Sequence, residues 1–134
     1  MNKLAVFTIL ILMTVNLSAR TRSITSCDEA PLLAAYQSQL PDHIMASSAD
    51  TKPKLISQLP NVAIPILKRS QSKLVCVVIA LDDHGKAQDL TVLYPAGFRL
   101  TINEKRLILA LQWSAAEVEG KARSSLVTMD FEIR

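Results

Sequence analysis

The sequence predicts an α+β fold: a small three-stranded antiparallel sheet with one main helix packed on it, in the order β–β–α–β, preceded by a short helical N-terminal segment. Three observations carry this. Two aliphatic runs, Leu74–Leu81 and Leu90–Tyr94, flank the turn-forming Asp82-Asp83-His84-Gly85. A stripe of apolar residues at helical spacing follows between Thr101 and Trp113. The terminal "SLVTMDFEI" alternates apolar with polar residues, the mark of a half-buried strand.

The chain is 134 residues long, enough for one domain after its first residues are set aside. Lys3, the apolar run Leu4–Leu17 and the small pair Ser18-Ala19 have the layout of a secretory signal peptide over residues 1–19, cut after Ala19. The run is shorter than the roughly 20 residues of a spanning helix, which favours cleavage over an inner-membrane anchor. "SITSC", ending at Cys27, has the form of a lipoprotein processing box, but Arg20 and Arg22 separate it from the apolar run. The product is therefore read as periplasmic or secreted. Membrane attachment follows only if the leader stays uncut or Cys27 is lipidated.

Residues 20–64 form a helical and irregular segment. "DEAPLLAAYQSQL" places Leu32, Leu33, Tyr36 and Leu40 at helical spacing, and Pro41 stops it. "PDHIMASSADTKPK" reads as a polar loop with little reason to order. Pro60 and Pro65 break the next stretch into short turns or a helical turn that starts at Pro65.

Residues 65–134 carry the fold. Leu74–Leu81 is apolar throughout, as in a strand covered on both faces. Asp82 to Lys86 supplies the turn: Asp side chains accept from backbone amides, and Gly85 takes a positive φ. Leu90, Val92 and Tyr94 alternate with Asp89, Thr91 and Leu93 in a second strand, which Pro95 and Gly97 end. Thr101 and Glu104 stand in capping-box register at the start of a helix. Leu107, Ile108, Leu111 and Ala115 form its stripe, with Trp113, the sole tryptophan, in its last turn as a core residue. After the Gly120-Lys121 turn, Val127, Met129, Phe131 and Ile133 share one face of the final strand; Thr128, Asp130 and Glu132 share the other.

Composition excludes several functions. The formal net charge is only +3 and the basic residues are scattered, so no nucleic-acid partner is expected. Two cysteines and two distant histidines lack zinc-ligand spacing, and no metal or cofactor is expected. Asp82, Asp83 and His84 read as a hydrated turn tip rather than an ion site. Without paired carboxylates, a nucleophile with its base, or a phosphate loop, the chain is not read as an enzyme. Cys27 and Cys76 either form a disulfide between the N-terminal segment and the first long strand, or Cys76 is a small buried hydrophobe and Cys27 sits in a loose tail.

Across roughly Pro65 to Arg134 the chain resembles the C-terminal domain of TonB-like energy transducers. The carriers are the Asp-Gly-type hairpin with Gly85, then Gly97, Ala110, Trp113, Gly120-Lys121 and Phe131. Ile64-Pro65 stands where that family begins its domain with Tyr-Pro. Pro95-Ala96-Gly97 replaces its Ser-Ser-Gly, and Ala115 its aromatic after the tryptophan. The resemblance implies binding of a partner segment by strand addition to an exposed sheet edge. Here that edge is the final strand, with Leu126, Thr128, Asp130 and Glu132 as partner-binding residues. The segment ahead of the domain lacks the long charged Pro-rich spacer of a transducer that crosses the periplasm. The expectation is a stand-alone envelope module binding a protein or peptide, linked to outer-membrane transport. The other reading is a secreted structural or inhibitory envelope protein with an unrelated partner.

Overall fold

The computed structural model describes Cys27 and residues 30–132; residues 1–19, read above as a signal peptide, and Ile133 lie outside the described residues. Three α-helices, α1 (Pro31–Gln39), α2 (Ala63–Ser70) and α3 (Ile102–Leu109), accompany six strands. These are β1 (Ile44–Met45), β2 (Leu74–Leu81), β3 (Ala87–Tyr94), β4 (Ala116–Val118), β5 (Lys121–Arg123) and β6 (Ser125–Glu132). The fold is α+β, but the main sheet has four strands in the order β1-β6-β2-β3, one more than expected, and is partly parallel. The fourth is β1, whose Ile44 and Met45 pair in parallel with Ser125 and Leu126. It falls in the segment expected to be a polar loop: two residues carry no periodicity, and the pairing comes from the start of β6. The short strands β4 and β5 form a separate antiparallel pair.

Strand β2 is the spine. It pairs antiparallel with β3 on one side and along its whole length with β6 on the other, from Leu74↔Glu132 to Leu81↔Ser125. Every residue of β2 is buried, because both faces are covered. On one face Val75, Val77, Ile79 and Leu81 join Ile66 and Leu67 of α2, Ile108 of α3, Leu111, Trp113, Met129 and Phe131. On the other, Leu74, Cys76, Val78 and Ala80 meet Leu33 and Tyr36 of α1 with Leu93 and Leu126. Cys27 and Cys76 are joined in a disulfide, which bolts the N-terminal segment to this second face. Tyr36 Oη also donates to Asp89 Oδ2 on β3 at 3.0 Å.

Helix α3 begins with the capping box that its sequence announces: Thr101 Oγ1 accepts from the Glu104 amide at 3.1 Å, and Glu104 Oε1 accepts from the Thr101 amide at 2.9 Å. Its end is earlier than expected. The helix stops at Leu109, and Ala110 is its C-cap. Trp113 is therefore not in a last helical turn, and Leu107 lies exposed on the helix surface. Leu111 is buried, Gln112 exposed and Trp113 buried, an alternation of period two. That stretch runs antiparallel to residues 51–57, through Leu55↔Trp113 and Thr51↔Glu117. Helix α2 likewise starts at Ala63, two residues before Pro65, where the missing proline amide would have had no helical acceptor in any case.

Candidate functional site

The two borders of the main sheet differ. One is β3; the other is β1 at Ser125 and Leu126 and the remainder of β6 beyond it. Contrary to expectation, the final strand is therefore not the edge along its whole length. At the β3 border, β3 carries an extra residue between Tyr94 and Val92 and another between Asp89 and Ala87, relative to β2. Such bulges twist an edge and blunt it against further pairing. The β6 border keeps an unbroken register with β2 and carries no bulge.

On β6 the direction of the backbone groups follows from one hydrogen bond. The Ile44 amide donates to the Ser124 carbonyl at 3.1 Å, so Ser124 points its carbonyl away from β2. Backbone groups alternate sides along a strand. Leu126, Thr128, Asp130 and Glu132 therefore present both N–H and C=O to the outer border. Leu126 sits opposite Met45, so its groups face β1, and its side chain is fully buried. Among the described residues, nothing pairs with the backbone of Thr128, Asp130 or Glu132 on that border.

Beside this open stretch lies a groove of about 380 Å³, walled by Leu59, Pro60, Ala63 and Trp113 and by residues 128–132 of β6. It opens on the face that carries Met129 and Phe131. Leu59 is 59% exposed, so apolar surface is left uncovered on its wall. Trp113 itself is buried, with its Nε1 lacking an acceptor among the described residues. On the opposite face Thr128 is half-buried, while Asp130 and Glu132 are exposed.

The spacing of residues marks the strand but not the groove, whose walls come from three separate stretches of chain, residues 59–63, Trp113 and residues 128–132. The nearest signal was a run of apolar residues, Ile56, Leu59 and Ile64, interrupted by prolines where a packed element would need regular periodicity.

The hairpin tip is a different kind of place. Asp82, Asp83 and His84 bring their ligand atoms within 4.8 Å of one another. Asp82 Oδ1 accepts from the amides of His84 and Lys86, both at 2.9 Å, and Oδ2 accepts from Gln88 Nε2 at 3.0 Å. That carboxylate closes the turn. His84 Nδ1 lies 2.9 Å from Asp83 Oδ1, and both side chains are exposed.

Among the described residues, no helix is long and apolar enough to cross a membrane. The Cys27–Cys76 bond belongs to an oxidising compartment. The chain matches no protein-family model and no curated protein.

Proposed function

We propose that this is a periplasmic protein-interaction module, similar to the TonB C-terminal domain, that takes an extended segment of an envelope partner as a further strand at β6. Binding rather than catalysis is the reading, and a link to outer-membrane transport follows from the resemblance. One observation carries it: the N–H and C=O groups of Thr128, Asp130 and Glu132, unpaired among the described residues, lie side by side with an apolar groove. Backbone groups supply affinity in such additions, and side-chain pockets supply selectivity. The reading is supported by the short β1, which already pairs in parallel with this border at Ser125 and Leu126.

Proline at position 128 tests the reading. It removes an N–H that points to the open border and not to β2, so the sheet tolerates it. The native protein is expected to capture a partner from envelope extracts and, with that partner bound, to protect the amides of Thr128, Asp130 and Glu132 from hydrogen exchange. Thr128→Pro loses both. Capture that survives Thr128→Pro with the Asp130 and Glu132 amides still exchanging freely rules the strand-addition reading out.

A further inference from the structure

We infer that the β6 border selects a segment in which aliphatic and basic side chains alternate. This rests on the strand-addition reading and adds to it the chemistry of the partner. A strand hydrogen-bonded to Thr128, Asp130 and Glu132 places each of its side chains on the same face as the β6 residue opposite. Residues opposite Met129 and Phe131 enter the groove beside Leu59, Pro60, Ala63 and Trp113, an apolar wall that accepts aliphatic groups.

The intervening residues emerge on the other face, opposite Thr128, Asp130 and Glu132. Asp130 and Glu132 are exposed there, and among the described residues neither joins an ion pair. Unlike charges across neighbouring strands attract and like charges repel. Lys or Arg fits these positions, and Asp or Glu is turned away. A second copy of β6 is a poor occupant for the same reason, because it would bring its own Asp130 and Glu132 to an acidic face. At the other end, Met45 already occupies the border at Leu126, so the ladder is confined to residues 128–132.

Synthetic peptides of about seven residues, long enough to cover the open stretch, test this on the oxidised protein. One alternates Lys and Val, the second alternates Glu and Val, and the third has the first one's composition with its lysines grouped together. The alternating Lys peptide is expected to move the amide resonances of Thr128, Asp130 and Glu132 and to bind about tenfold more tightly than either of the others. Reversing the charge of the face with Asp130→Lys and Glu132→Lys inverts the order of the Lys and Glu peptides. Should that double variant not fold, Asp130→Asn is expected to weaken the Lys peptide about threefold without weakening the Glu peptide. Equal binding of the Glu or grouped peptide at the same amides would overturn the inference and leave strand addition standing. No response at those amides to any of the three would overturn both.

Discussion

Arg69 grips Glu104 with two hydrogen bonds, Nη1 to Oε2 and Nη2 to Oε1, both at 2.6 Å. The same carboxylate accepts the Thr101 amide, so one buried acid joins the last turn of α2 to the first turn of α3. The Arg69 guanidinium also lies 5.4 Å from the Phe98 ring centre. Glu104→Ala deletes both the ion pair and half of the capping box. We expect a loss of about 2–3 kcal/mol in urea unfolding, with Glu104→Gln losing less because an amide still reaches the Thr101 N–H.

The pair also sets an acid limit. Hydrogen bonds from Arg69 hold the Glu104 carboxyl below its ordinary range, against the opposing effect of burial. Its contribution to stability is thus complete above the unfolded value of 4.5 and is lost as pH falls through the lower folded value. Thermal unfolding followed from about pH 6 down to about pH 3 should show a steeper fall for the native protein than for Glu104→Gln.

An alkaline limit belongs to Tyr36. Burial, helped by its hydrogen bond to Asp89 and by that carboxylate's charge, pushes the phenol up to about 12. A raised phenol contributes stability that is fully present below its unfolded value of 10.0 and disappears as pH climbs towards 12. Tyr36→Phe should remove this alkaline loss, read as melting temperature across that range.

Gly85 is held by two constraints at once. Its φ is +79°, and a Cβ built there would sit 2.2 Å from the Trp113 carbonyl oxygen. Gly120 shares the left-handed backbone, at φ +77°, but faces open space. Gly85→Ala should therefore cost about 3 kcal/mol or more, and Gly120→Ala only about 1–2 kcal/mol. Equal losses in denaturant titrations of the two would show that the hairpin tip gives way instead of resisting.

The disulfide spans 49 residues of chain. Closing a loop of that length restricts the unfolded chain by about 4 kcal/mol in the entropic account. Reduction, or Cys27→Ser with Cys76→Ser, should lower unfolding stability by about 2–4 kcal/mol. Hydrogen exchange in α1 should rise first, because α1 covers only the face that carries Cys76.

What the residues disclosed in advance was local. The three long strands, the hairpin turn and the capping box each follow from spacing within a dozen residues, and the structure keeps them. Leu74–Leu81 was legible as a doubly covered strand because no polar residue interrupts it. What escaped depends on distant partners. Ile44-Met45 is a strand only because Ser124–Leu126 lies alongside, and Trp113 leaves the helix only because Leu55 and Lys54 are there to meet that stretch. The two cysteines raised a bond as one of two possibilities; folding α1 over β2 brings their Cα atoms to 5.4 Å and realises it. The groove was marked only by the proline-broken apolar run around Leu59, since Leu59, Pro60 and Ala63 gain meaning only beside Met129 and Phe131.

The turn at Ala46–Ser48 has a consequence for how much of the border is available. It is a single 3-10 turn that bends the chain away immediately after Met45. Had residues 46–50 continued straight, they would have zipped along Val127 to Phe131 and sealed the sheet with the molecule's own backbone. Lengthening or shortening that bend would act as a throttle, setting how many rungs the protein keeps for itself and how many it leaves to a visitor.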